Sequence, residues 1–187
     1  MVLINRESPS SKFPLGSALP NFKLLATDGS LIGDSDLKGR VGTLIVFTCN
    51  HCPYVKGSDD MMVENLTLAA SSGLGVALIS SNDPTQYPED SYEKMQEKHS
   101  RLNLPCPYLW DETQDVAKLF DAQCTPECYL FDKDGILVYH GTVNDSPRDP
   151  SSVTINYLKN AVTQLASGEP LNPPYTHPFG CSIKWRV

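Results

Sequence analysis

The stretch LIVFTCNHCPYVK, residues 44–56, decides how the chain is read. Its first half is a continuous run of branched and aromatic residues, the pattern of a β-strand buried on both faces. Its second half places Cys49 and Cys52 with two residues between them, directly where that strand ends. In open α/β folds the carboxyl edge of a parallel strand is where a helix begins and where chemistry gathers. A thiol at a helix start meets free N–H groups, which favour its thiolate. The spacing therefore predicts Cys49 as a low-pKa nucleophile and Cys52, one turn later, as the thiol that resolves a mixed disulfide. His51 is a candidate for stabilising the Cys49 thiolate, and Asn50 reads as a polar filler in an exposed turn.

Two other readings of the pair stand beside the redox dithiol. Zinc commonly takes four ligands, often from two Cys-x-x-Cys knuckles, and this chain has one such pair. Chance proximity is the other. A dithiol needs neither metal nor organic cofactor, and none is expected.

The 187 residues suit one domain with a sizeable core. A formal charge of −7, with no basic run, excludes a nucleic-acid footprint. No apolar stretch has the length of a membrane span. The start, MVLINRESPSSKF, lacks the basic and apolar parts of a secretory leader. The expected location is thus the cytoplasm, where six cysteines do not imply a disulfide scaffold.

Working outward, FKLLATDGSLI (22–32) reads as a hairpin turning at Asp28-Gly29. Met62, Leu66, Ala69 and Ala70 mark a helix closed by SSGLG, and VALIS (76–80) a second buried strand. Tyr92, Met95, His99 and Leu102 mark another helix, and YEKMQEKHSR reads as its solvated face. Asp111 is the expected N-cap of a short helix ending at Phe120. CYLF and ILVY around DKDG form a second hairpin. Asp149 and Pro150 are the expected start of a last helix that Gly168 stops. The proline-rich end reads as irregular until its final residues. The order gives an α/β fold with a central mixed sheet flanked by helices. Residues 1–13 form an N-terminal extension, 14–168 the domain, and 169–187 a tail packed on it.

The strand–CxxC–helix unit, followed by CTPECYLFDKDGILVYHG (124–141), resembles the thioredoxin superfamily. The segments LGSALPNFKLLATDGSLIGDSDLKGR, TCNHCPYVK and YLWDETQDVAKLFDAQCTPECYLFDKDG are similar to its redoxin branch, grouped with alkyl hydroperoxide reductase and thiol-specific antioxidant proteins. The ending GCSIKW is similar to that of a subgroup of this branch. The likeness runs from about residue 14 to 185 and implies a thioredoxin-like fold. It also implies that Thr125-Pro126 is a cis pair facing the dithiol, with the backbone before the proline pairing with an extended substrate.

Two departures matter. Thioredoxin carries tryptophan before the first cysteine and Gly-Pro between the pair, where this chain has Thr48 and Asn50-His51. Peroxiredoxins carry Pro-x-x-x-Thr-x-x-Cys-Pro; Cys52-Pro53 matches its end, while Cys49 stands for the threonine and Ile45 for the leading proline. The expected function is accordingly thiol–disulfide exchange with a disulfide-bearing protein or a small thiol, linked to an unidentified thiol reductant or oxidant. A thiol peroxidase consuming peroxide is the alternative, and a non-enzymatic metal-binding module the third reading. Glu127 is a candidate proton acceptor when Cys52 resolves. Cys181 is either a third redox thiol or a small apolar side chain packed under the tail. Cys124 adjoins the proline loop, Cys106 and Cys128 read as structural, and Arg148 as a partner of Asp145, a substrate anion or solvent.

Overall fold

The fold is built around one strand, β4 (Gly42–Thr48), all of whose residues are buried. Successive side chains point to opposite faces, so Leu44 and Val46 enter one core and Ile45 and Phe47 the other. The computed structural model describes the backbone of residues 3–5, and residues 10 and 12–187 in full. Much of the expected 1–13 extension lies outside the described residues.

In chain order, β1 is Leu3–Asn5, β2 Lys23–Ala26, β3 Leu31–Gly33, and β4 follows. Then come α1 (Pro53–Lys56), α2 (Asp59–Ser71), β5 (Leu74–Ser80), α3 (Tyr92–Leu102), β6 (Tyr108–Trp110) and α4 (Asp115–Leu119). The chain ends with β7 (Cys124–Thr125), β8 (Glu127–Asp132), β9 (Leu137–Gly141), α5 (Tyr157–Ser167) and β10 (Phe179–Ser182). A seven-stranded sheet runs β3-β2-β6-β5-β4-β8-β9. It is parallel at β4–β5 and β5–β6 and antiparallel elsewhere, which makes it mixed as expected.

Helices cover both faces. Met62, Leu66 and Ala69 of α2, Met95 of α3, and Leu158, Ala161 and Val162 of α5 close one core. Val116 and Ala117 of α4 help close the other, where Phe47, Phe120, Tyr129 and Phe131 meet edge to face. Phe13 packs into this aromatic group, so the core starts one residue before the expected domain boundary. Among the described residues no helix is long and apolar enough to cross a membrane.

The two hairpins fall where expected, β2–β3 around Gly29 at φ +85° and β8–β9 around Gly135 at φ +76°. Several local expectations need correction. Ala70 of α2 is exposed rather than part of the buried face. Asp111 is not the residue next to its helix; Gln114 holds that place at φ 65°, while Asp111 reaches past it to accept from the Val116 and Ala117 N–H groups. Asp149 and Pro150 open only a 3-10 turn, Pro150–Ser152. The last helix is capped by Asn156, whose side chain accepts from Lys159 N–H, and it ends at Gly168 at φ 72°.

The tail is more ordered than its proline content suggests. β10 pairs with β7 and β1 in a second, three-stranded sheet. Further on, Ile183 N–H donates to Gln123 O, Lys184 N–H to Asn82 Oδ1, and Arg186 N–H to Gln114 Oε1. These bonds bring the tail across the carboxyl edge of the large sheet.

Candidate functional site

The buried run of β4 delivers Cys49 to that edge, and Pro53, free of an N–H and fixed in φ, starts α1 immediately after Cys52. The start of α1 is therefore at Cys52, its N-cap, and not at Cys49. α1 is a single turn. What it offers a sulfur is one specific donor, the Val55 N–H, and that donor serves Cys52.

Three sulfurs meet here. Cys49, Cys52 and Cys181 form one buried cluster with Val55, and Tyr54 packs against it. The Thr125-Pro126 bond is cis, as the family likeness implied. Thr125 faces both members of the pair, with its Oγ1 3.2 Å from Cys49 Sγ and its carbonyl accepting from Cys52 Sγ at 3.5 Å.

The electrostatics tie the two thiols together as one pair. The Cys52 thiol is lowered to about 5, first by the hydrogen bond from Cys49 and, against the cost of burial, by the Cys181 thiol and the N–H groups of Val55 and Cys181. Cys49 is pushed well above the usual thiol range, first by burial, then by its bond to Cys52 and the negative charge of Asp90. Cys181 is raised to about 12, mainly by burial and then by Cys52. Each shift is thus set by burial and by hydrogen bonds within the three-sulfur cluster.

His51 lies near Cys49, and its ring is held by other groups. Its Nδ1 is hydrogen-bonded to Asp90 Oδ2, and its ring stacks on Tyr87 with centroids 4.6 Å apart. Asp90 is the residue that sequence reasoning missed. Fully buried, it accepts from Asn50 N–H at 2.6 Å, His51 N–H at 3.1 Å and Asn82 Nδ2 at 2.8 Å. Burial opposes its charge, but the His51, Asn82 and Asn50 bonds win and hold the carboxyl below the usual range. It fixes the backbone between the cysteines. Asn50 is no filler either; it is buried, accepts from Tyr108 Oη at 3.0 Å and donates to Glu89 O at 2.9 Å.

Lys98, expected on a solvated helix face, is also buried. Its ammonium lies 3.1 Å from Cys49 O and 2.9 Å from Asp59 Oδ1. Its place three residues after Met95, beside the Tyr92, Met95, His99 and Leu102 face, was the available signal, since helix positions three residues apart share a side.

Donor atoms of Cys49, His51 and Asp90 lie within 4.8 Å of one another, close enough to hold a metal ion. Both Asp90 oxygens and the His51 Nδ1 are already used in bonding each other and the loop. The set is self-satisfied as it stands.

Glu127 is brought to a different group. Its oxygens take the Gln123 and Cys124 N–H groups, Tyr129 Oη and His140 Nε2, the last at 2.7 Å. Burial works against its charge, but His140 and those donors lower its pKa, and the dithiol is not among its partners. Its expected role as proton acceptor for Cys52 is not what this geometry provides. Arg148 lies over the Phe179 ring, 5.2 Å from its centroid, beside a cavity of about 630 Å³ that Tyr175 and His177 also line. Asp145 instead accepts from Thr154 and Ile155 N–H groups.

The backbone edge beside Pro126, expected to receive a substrate peptide, is filled. Thr125 pairs with Cys181 and Cys124 with Ser182, both in β10. The chain itself occupies that position.

A mixed sheet with a dithiol at its carboxyl edge and a cis-proline opposite defines a thioredoxin-like redox protein. The redoxin family profile matches residues 14–157, and the chain belongs to the redoxin family. An uncharacterised conserved protein from Geobacillus kaustophilus superposes with a TM-score of 0.91 at 38% identity, covering 100% of this chain and 97% of that one. A hypothetical protein from Sinorhizobium meliloti gives 0.88 at 29% identity, covering 98% and 99%. The thioredoxin domain of a thiol-disulfide oxidoreductase from Bacteroides vulgatus gives 0.57 at 16% identity, covering 68% and 88%, a likeness of fold. Among curated proteins no match is found.

Proposed function

We propose that the protein is a thiol–disulfide oxidoreductase working through the Cys49/Cys52 dithiol. The observation that carries this reading is the meeting of Cys49 and Cys52 in one buried cluster, both facing Thr125, and the donors around Cys52 lower its thiol to about 5. At neutral pH one sulfur is then a nucleophile and its neighbour a protonated thiol in reach of it, the two species disulfide exchange requires.

The cycle follows from that charge. Cys52 thiolate attacks one sulfur of a substrate disulfide, forming a mixed disulfide and expelling the other sulfur as a thiolate. That thiolate is protonated as Cys49 gives up its hydrogen, and Cys49 attacks Cys52 Sγ. The second substrate sulfur leaves as a thiolate that takes a proton from solvent, and the Cys49–Cys52 disulfide remains. Compared with the order expected from sequence, attack and resolution change places. Thr125 Oγ1, 3.2 Å from Cys49 Sγ, supports Cys49 as its charge develops. With β10 on the docking edge, the substrates that fit are small disulfides or disulfides on chains able to displace that strand.

One observation favours hydroperoxide as a second substrate: the ionised thiol is the one followed by Pro53, the end of the peroxidase pattern. Cys52 thiolate would take one oxygen to give a sulfenic acid, releasing alcohol or water, and Cys49 would condense with it, expelling water.

Turnover of a small disulfide and of hydrogen peroxide, measured side by side on wild type, Cys49→Ser and Cys52→Ser, tests the proposal. Disulfide turnover that needs both cysteines is the expected result. Turnover indifferent to either substitution would remove the dithiol from the account.

A further inference from the structure

Residues 179–182, FGCS, form a strand that no sequence pattern announced, and it lies on the working edge of the site. Antiparallel pairing sets Cys181 opposite Thr125, the residue before the cis-proline. Cys181 packs in one buried cluster with Cys52 and Cys49, where its thiol and N–H act on the Cys52 sulfur. Gly180 lets this happen, because a Cβ there would stand 2.1 Å from Thr125 O and 2.7 Å from Thr125 C. Either side of the strand is anchored. Phe179 packs edge-on against Tyr54 of α1 at 5.5 Å, and Lys184 bonds Asn82 and lies over Tyr87, the ring stacked on His51.

We propose that β10 is an internal substrate strand: it fills the docking edge of the dithiol and presents Cys181 as a third redox thiol that exchanges with Cys52. The proposal rests on the Cys49/Cys52 reading and extends it by one step. In the oxidised protein Cys181 Sγ attacks Cys52 Sγ, the Cys49–Cys52 bond breaks, and the Cys52–Cys181 bond forms. The proton of Cys181 passes to the leaving Cys49 sulfur. No external oxidant or reductant enters this isomerisation; one disulfide is exchanged for another. Cys52 is the shared sulfur, so the protein carries its oxidising equivalent in either of two positions, one of which ties the tail covalently to the site.

Disulfide mapping by mass spectrometry on the full chain, after treatment with oxidised glutathione and alkylation of free thiols, tests this. In Cys49→Ser, Cys52 takes glutathione first; Cys181 should then displace it, so that Cys52–Cys181 is the majority product and the adduct is lost. Adding Gly180→Val, which pushes β10 off Thr125 without touching a sulfur, should restore the adduct and leave Cys181 open to alkylation. A stable glutathione adduct on Cys52 in Cys49→Ser, with Cys181 alkylated, would overturn the proposal. The wild-type map separates the two readings. Formation of Cys49–Cys52 there, with no Cys52–Cys181 in the variant, refutes only the internal strand. Cys52–Cys181 in the variant, with no Cys49–Cys52 in wild type, refutes the dithiol and with it the exchange step that starts from its disulfide.

Discussion

Cys52 and Cys106 are both buried cysteines of one domain, yet one is lowered to about 5 and the other raised to about 12. Burial acts in the same direction on each. The difference lies in donors: Cys106 has the Leu78 backbone bond against its desolvation, whereas Cys52 has a thiol from each side and two N–H groups. Cys128, raised by burial and then by the Glu127 charge, follows Cys106. Reactivity in this fold is set by what the loop and the tail aim at a sulfur, not by how deep the sulfur lies.

The largest effect should come from removing the shared sulfur. Cys52→Ser should lower disulfide turnover by roughly a thousandfold or more, the scale lost with a covalent nucleophile. Cys106→Ser should leave turnover near wild type and cost about 1–3 kcal/mol of stability through a buried hydroxyl. Denaturant melts beside the turnover assay check both. Equal losses of turnover in the two variants would erase the distinction.

Next comes the loop between the cysteines. Asp90→Ala strips the acceptor from two backbone N–H groups and two side chains, and each group left buried without a partner costs about 1–3 kcal/mol. Urea titration should show a loss of that size, together with lower turnover. Asp90→Asn should recover part of the stability, since an amide oxygen still accepts.

A smaller effect is a shift in titration. Cys49→Ala removes the principal donor to Cys52, so the Cys52 midpoint should rise from about 5 toward 9.0, as followed by thiolate absorbance. Cys181→Ala should move it less, because that donor ranks below Cys49. The sign carries into stability. A lowered Cys52 pKa favours the reduced fold fully above pH 9.0 and loses that contribution as pH falls through about 5. Wild type should therefore gain over Cys52→Ser across that window; a flat difference would count against the thiolate.

Much of the fold was legible because its signals are local. TLIVF and VALIS are continuous branched runs, and DGS and DKDG are turns flanked by alternation. Errors arose where one local pattern had two uses. Asp149-Pro150 satisfies the rule for a helix start, but the chain spends it on a 3-10 turn and leaves capping to Asn156. The cysteine pair was legible from spacing, but the groups that surround each sulfur were not. Which cysteine caps α1 depends on a helix one turn long, and two of the donors to Cys52 come from β10, far along the chain. Asp90 and Lys98 carry no motif; only the fold sets them beside residues 49–51. Thr125-Pro126 was legible as a pair facing the cysteines, but FGCS, too short and glycine-bearing to read as a strand, pairs with the backbone before the proline.

The most direct measurement is the pH dependence of alkylation in the reduced wild-type protein, with each modified cysteine identified by peptide mapping. The account predicts that the first residue to react is Cys52, with a midpoint near pH 5, while Cys49 and Cys181 stay unmodified through neutral pH. Alkylation mapped first to Cys49, or a single midpoint near 9.0 shared by all the cysteines, would contradict it.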